Sequence, residues 1–124
     1  MSKTHIKYFD VGAWPVYFGF THKKKEYDKE MKRLGIKSDV PFVSANALAT
    51  THVLTKKGHT TIIVCIKKSK KFTRNQLTAA LAHEAAHVWE AVVEAMRGHN
   101  PGDECQAYGI QYATLRMADR LWSK

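Results

Sequence analysis

A long run without Gly or Pro, residues 74–97, constrains the fold of this chain more than any other feature. The run is rich in Ala, Leu, Glu and Gln, which favour the α-helix. Residues 73–76 (Thr-Arg-Asn-Gln) before it form a capping-box pattern, and Gly98 after it is a common helix end. Because apolar residues recur at helical spacing within the run, we predict a long helix over 74–97 with one buried side.

The middle of this predicted helix holds the pattern HExxH, made by His83, Glu84 and His87. Residues four apart lie on one face of a helix, so both imidazoles can reach the same divalent metal ion. Glu84 lies next to them, where a carboxylate can act as general base for water. We therefore predict that His83 and His87 bind one zinc ion and that Glu84 is catalytic. The alternative is a pair of ordinary core or surface histidines.

A catalytic zinc site needs a third protein ligand, and the next acids along the chain are Glu90 and Glu94. Glu94 lies about 10 Å further along the helix than His87, which is too far for the same tetrahedral site. Glu90 is nearer, but three ligands from one straight helix rarely converge. Both acids fit equally well as hydrogen-bond partners of the imidazoles or as solvated charges.

Glu104 is the better candidate for the third ligand. Residues 99–102 predict a turn, and Asp103 is a suitable N-cap for a second helix over about 104–122. A short turn returns that helix antiparallel beside the first, with Glu104 at its start. Two alternatives stay open: Glu104 complements the helix dipole, or Cys105 is the ligand.

The combination of HExxH with a Glu in the context Asp-Glu-Cys-Gln-Ala-Tyr (103–108) resembles the gluzincin group of zinc metallopeptidases. Four segments of the chain together also resemble a family of small bacteriophage and prophage proteins described as metallopeptidases: 17–20, 30–35, 83–89 and 101–111. The resemblance implies His83, His87 and Glu104 as ligands of one zinc ion and Glu84 as the base. The phage family brings no established substrate, but membership of a metallopeptidase group would imply that the substrate is a peptide or protein.

Peptide hydrolysis further requires a hydrogen-bond donor for the developing oxyanion. Tyr108 is the first candidate, because it lies four residues beyond Glu104 and on the same helical face. Tyr112 and His99 are weaker candidates. The alternative for Tyr108 is a packing role.

The rest of the chain predicts an α+β fold. We expect a small, mostly antiparallel sheet packed against the long helix and the second, C-terminal helix, within a single domain spanning 1–124. The predicted elements are a strand at 14–20, a helix at 23–34 stopped by Gly35, and strands at 50–55 and 60–66 joined by a hairpin turn at 56–59. Residues 40–46 are predicted to be irregular.

Composition limits the cellular setting. No apolar run has the length of a membrane span, and the N-terminus lacks the apolar region of a signal peptide. We therefore expect a cytoplasmic protein, in the host cytoplasm if a phage encodes it. Cys65 and Cys105 are expected to be reduced thiols rather than a disulfide.

The net charge of +9 suggests two other function classes. The basic residues concentrate in three clusters: 23–25, 56–57 and 67–71. They favour non-specific binding to nucleic acid, by a module whose zinc is structural. A cationic phage enzyme that cleaves a cell-wall peptide or amide is the third possibility, against which the missing export signal counts.

Overall fold

The computed structural model describes residues 6–11, 14–36, 40–56, 58–96 and 101–123. Its strands and helices make an α+β fold, as the sequence predicts. In chain order the elements are β1 (Lys7–Val11), β2 (Trp14–Thr21), α1 (Lys24–Arg33), β3 (Ala49–Lys56), β4 (His59–Ile66), α2 (Arg74–Ala95) and α3 (Asp103–Leu121). No helix within these ranges is long and apolar enough to cross a membrane.

Four strands form one sheet in the order β1-β2-β4-β3. The pairs β1–β2 and β3–β4 are antiparallel, whereas β2 and β4 run parallel, which confirms the predicted mostly antiparallel sheet. β4 is central, and residues 62–66 are all buried. A strand covered on both faces has an unbroken apolar sequence, as this one does. β3 lies at one edge of the sheet.

Helices cover both faces of the sheet, and alternate side chains of β4 point to opposite faces. Ile62 and Val64 join α2 and α3 in the larger core, whereas Ile63 and Cys65 pack with α1 in the smaller one. Cys105 packs against the larger core. The two thiols are free, as expected, and they lie on opposite sides of the sheet.

The predicted capping box starts α2. The backbone N–H of Gln76 donates to the Thr73 hydroxyl over 3.1 Å, and the backbone N–H of Thr73 donates to Gln76 Oε1 over 2.8 Å. α2 ends at Ala95, with Met96 as its C-cap. The predicted stop at Gly98 lies outside the described residues.

α3 begins differently from the prediction. Its N-cap is Gly102, with a φ of 112°, and no side chain caps the helix, so the assignment of Asp103 as N-cap is wrong. Glycine reaches this backbone conformation without the steric penalty that a Cβ brings. Backbone freedom, rather than a side-chain hydrogen bond, therefore sets the start of this helix.

α3 packs closely against α2. A Cβ built on Gly109 would lie 2.4 Å from Cε3 of the Trp89 ring, so only glycine fits this contact without a shift. The guanidinium of Arg74, at the start of α2, lies 4.4 Å from the ring centroid of Trp122, just after α3 ends. The end of α3 thus lies beside the start of α2, and the two helices are antiparallel, as predicted.

The β3–β4 hairpin follows the predicted pattern, with Lys56 opposite His59 and a positive φ at Gly58. Residues 40–48 contain no helix or strand, also as predicted for 40–46. β1 was not predicted. Its exposed and half-buried residues do not alternate, so its sequence lacks the two-residue period that marks a half-buried strand.

Candidate functional site

The two motif histidines lie side by side on the exposed face of α2. The Nε2 atoms of His83 and His87 are 3.2 Å apart, and the ring centroids are 4.9 Å apart with an interplanar angle of 74°. The four-residue spacing on a regular helix produces this arrangement, because it stacks the two side chains one turn apart. The two ring nitrogens therefore converge on one point in front of the helix.

Glu90 orients His87. Its Oε1 lies 2.9 Å from His87 Nδ1, and since a carboxylate only accepts hydrogen bonds, Nδ1 carries the proton. In this tautomer the Nε2 atom carries the lone pair, which faces His83. This contact supports one of the two roles left open for Glu90, that of a hydrogen-bond partner of an imidazole. Carboxylates hold metal-binding histidines in the same way.

Glu84 faces inward, although the two histidines of the motif are exposed. The side chain is only 5 % exposed, and its Oε1 accepts a 2.7 Å hydrogen bond from the Thr51 hydroxyl. Thr51 belongs to β3, so the edge strand fixes the carboxylate from across the helix–sheet interface. Sequence reasoning did not single out Thr51, because nothing in a strand rich in Thr marks which hydroxyl faces the motif.

These side chains line an open cleft of about 530 Å³ between α2 and β3. Ala49, Thr50, Thr51 and Val53 of the strand form one wall. Six residues from one face of α2 form the opposite wall: His83, Glu84, His87, Glu90, Ala91 and Glu94. The outer edge of the sheet therefore runs directly past the two imidazoles.

A second cavity of about 530 Å³ adjoins the first and shares Ala47, Ala49, His83 and Glu84 with it. Its other lining residues are mostly apolar: Leu48, Phe72, Gln76, Ala79 and Ala80. The motif thus lies between an apolar hollow on one side and, on the other, the stretch of helix that carries Glu90 and Glu94.

Glu104 and Tyr108 do not join this group in the structure. Both lie in the first two turns of α3 and are exposed, Tyr108 to 63 %. Neither lines the cleft. Within the described part of the chain, no three His, Cys, Asp or Glu side chains come together as a metal-binding group.

The position of α3 on α2 explains this separation. α3 packs on the side of α2 that carries Trp89, through Gly109. Trp89 follows His87 by two residues, and each residue turns a helix by about 100°, so the two side chains point about 160° apart. The imidazoles and α3 therefore lie on opposite flanks of α2.

The weaker candidates for an oxyanion donor are also elsewhere. The Tyr112 hydroxyl donates to Asp10 Oδ1 over 2.8 Å and accepts from Arg116 over 3.0 Å, which ties α3 to β1. His99 lies outside the described residues. The described cleft thus contains a paired imidazole group, an oriented carboxylate and an unpaired strand edge. Comparison of the chain with protein-family models, curated proteins and solved structures found no significant match.

Proposed function

We propose that this chain is a zinc-dependent hydrolase of the gluzincin type that cleaves peptide bonds. The observation that carries the proposal is the 3.2 Å separation of the His83 and His87 Nε2 atoms. Two imidazole nitrogens bound to one tetrahedral zinc ion lie about 3.3 Å apart, from Zn–N bonds of about 2.0 Å. The two side chains therefore have the spacing that a shared zinc ion requires.

Each residue around the pair has a defined role in this proposal. Zinc, when bound, polarises the substrate carbonyl and makes water more acidic. Glu84 accepts a proton from the attacking water and passes it to the leaving amine. Thr51 holds the Glu84 carboxylate in place, and Glu90 holds the His87 ring.

The substrate in this proposal is a peptide in extended conformation. β3 is an edge strand of the described sheet, and its residues 49–51 and 53 line the cleft beside the imidazoles. A peptide that adds to such an edge gains main-chain hydrogen bonds. The adjoining apolar cavity near Leu48 and Phe72 then receives one of its side chains.

The third ligand is the part of the proposal that geometry does not support. The resemblance assigns this role to Glu104, but in the structure α3 holds Glu104 on the other flank of α2. For Glu104 to bind the same ion, the start of α3 has to shift relative to α2. Glu94 also lines the cleft, one helical turn beyond Glu90, and its substitution is the matched comparison.

Metal content separates these possibilities. Elemental mass spectrometry is applied to the wild-type protein and to His87→Ala, Glu104→Ala and Glu94→Ala, each purified without added zinc. We expect about one zinc per chain in wild type, little in His87→Ala, and a loss in Glu104→Ala that Glu94→Ala does not share. A wild-type protein that takes up no zinc even when zinc is supplied overturns the proposal.

The same 3.2 Å distance also fits a hydrogen bond between two neutral imidazoles, with His83 Nε2–H as donor. An activity assay distinguishes this arrangement from a catalytic centre. Release of fluorescent peptides from a labelled unfolded protein should require zinc and disappear in Glu84→Gln, while the zinc content of that variant stays at the wild-type level. Zinc binding with equal activity in Glu84→Gln would indicate a structural metal and no hydrolase.

A further inference from the structure

The three basic clusters of the sequence make different contacts in the folded chain. Lys24 is paired with Asp28 over 2.8 Å, and Lys56 Nζ donates to the carbonyl oxygens of Leu34 and Gly35 at the end of α1. These two lysines therefore stabilise α1 and its C-terminal end. The cluster at 67–71, by contrast, lies where β4 leads into α2, and it meets cations from other parts of the chain.

The Trp122 ring lies at the centre of this group of cations. The Arg74 guanidinium lies 4.4 Å from the centroid of its ring and Lys68 Nζ lies 5.4 Å from it. Lys68 Nζ also donates to the Leu121 carbonyl oxygen over 2.7 Å, at the end of α3. A guanidinium stacked on an aromatic ring keeps its N–H edge free and oriented, ready for an anion.

Further cations lie around the same point. The pKa of His22 is lowered first by burial and then by the charges of Lys68 and Lys23, with a smaller effect of Arg120, while Glu26 acts in the opposite direction. We call Lys23, Lys68, Arg74 and Arg120 together the Trp122 surface. Within the described residues none of the four makes an ion pair with a carboxylate.

We propose that the Trp122 surface binds the phosphate backbone of nucleic acid. Lys68 and Arg74 lie over the Trp122 ring, Arg120 is in the last turn of α3 two residues before it, and Lys23 is the N-cap of α1 beside His22. Chain folding thus brings together cations from four separate parts of the sequence. Repulsion between them weakens the folded state, and a polyanion removes that cost. Phosphodiester oxygens also match the N–H edge of the stacked Arg74 guanidinium.

The chemistry of this surface favours nucleic acid over an anionic membrane. A helix or face that binds a bilayer inserts apolar side chains between the lipids. The exposed large apolar residues of the described chain are Tyr17, Val53, Tyr108 and Leu115, and none belongs to the Trp122 surface. Trp122 itself is half-buried beneath two cations.

Binding is tested by fluorescence anisotropy with a labelled oligothymidylate of about 20 nucleotides. Single strands release about 0.7 counterions per phosphate contact, so four contacts give a slope of about −3 in a plot of log K against log salt concentration. Arg74→Gln/Arg120→Gln should weaken binding roughly tenfold at low salt and reduce the slope by about 1.4. Circular dichroism checks that the variant is folded.

Two further variants keep the test decisive. Lys70→Gln/Lys71→Gln changes two exposed lysines in the turn between Lys68 and Arg74 and should also weaken binding, without touching a helix. Lys7→Gln/Lys32→Gln removes the same charge from exposed positions on β1 and α1 and should leave binding unchanged. If Lys7→Gln/Lys32→Gln loses as much affinity as Arg74→Gln/Arg120→Gln, net charge alone attracts the probe and the proposal fails.

The same experiment also tests two alternative partners, an anionic membrane and an acidic polypeptide. Anionic phospholipid vesicles and polyglutamate are added as competitors at matched charge concentration. If neither competitor displaces the oligonucleotide, the result supports the proposal. Absence of oligonucleotide binding at low salt, or tighter binding to the vesicles or to polyglutamate, overturns it.

Discussion

The Thr51 hydroxyl donates a 2.7 Å hydrogen bond to Glu84 Oε1, and so joins the edge strand of the sheet to the middle of the HExxH motif. Thr51 also approaches the Glu84 carbonyl oxygen at 3.4 Å. One strand residue therefore sets both the depth and the orientation of the carboxylate that we propose as the base.

Thr51→Val keeps the shape of this side chain and removes its donor. We expect the zinc-dependent peptidase activity to fall roughly tenfold in kcat, because one hydrogen bond to a charged group corresponds to about 1.4 kcal/mol in the barrier. The unfolding free energy, measured in urea, should fall by about 1–2 kcal/mol. Thr55→Val, the same change further along β3, is the control. Unchanged kcat in Thr51→Val would remove the positioning role.

Glu90→Gln tests the hydrogen bond to His87 Nδ1. A neutral amide accepts more weakly than a carboxylate, so the ring is held less firmly and its Nε2 is less basic. Zinc affinity measured by isothermal titration calorimetry should fall about tenfold. Glu94→Gln removes the same charge from the same cleft and should bind zinc as the wild type does. Equal losses in the two variants would show a general charge effect instead.

Gly109→Ala tests the contact between α2 and α3. Alanine is the better helix former by about 1 kcal/mol, but its Cβ would lie 2.4 Å from Cε3 of the buried Trp89 ring. Overpacking of this kind costs about 1–3 kcal/mol, so we expect a net loss of stability. Chemical denaturation measures it, with the exposed Gln111→Ala on the same helix as control. A more stable Gly109→Ala would mean that α3 does not pack as described.

His22 makes stability depend on pH. Burial, and then the charges of Lys68 and Lys23, lower its pKa from the ordinary value of 6.5. Arg120 acts in the same direction, and Glu26 opposes it. Because the folded pKa lies below the unfolded one, the unfolded chain binds the proton first as the pH falls.

The contribution of His22 is therefore fully present above about pH 6.5 and is lost as the pH falls through the folded pKa. His22→Gln should reduce the loss of stability between about pH 7.5 and pH 5.5, measured by urea denaturation at each pH. His59→Gln, the same change at an exposed position, should follow the wild type. An unchanged pH profile in His22→Gln would contradict the predicted linkage.

The sequence predicts best the elements whose signals are local. The capping box at Thr73 and Gln76, the β3–β4 hairpin around Gly58 and the apolar run of β4 are all encoded by neighbouring residues. β1 was missed because no alternation marks it. The start of α3 was misjudged by one residue because a glycine conformation, rather than the side chain of Asp103, defines it.

The same distinction between local and long-range signals applies to the residues of the candidate site. The convergence of His83 and His87 follows from one helix and was predictable from their spacing. The contribution of Thr51 depends on how β3 packs against α2, and that of Glu104 depends on which flank of α2 receives α3. Such long-range packing leaves no signal in the local sequence, and the zinc-ligand role of Glu104 stays a prediction.

If the chain is the hydrolase that we propose, the outer edge of β3, which pairs with no other strand of the described sheet, has a consequence for which substrates it selects. A chain that pairs with this edge must offer backbone N–H and C=O groups that have no partner of their own. Helices and paired strands have already used these groups, so a natively folded protein has few to offer beside His83 and His87. Denatured polypeptides, loops and chain ends have them in excess. The shape of the sheet would thus spare intact folded proteins and select segments that have lost, or never had, regular structure.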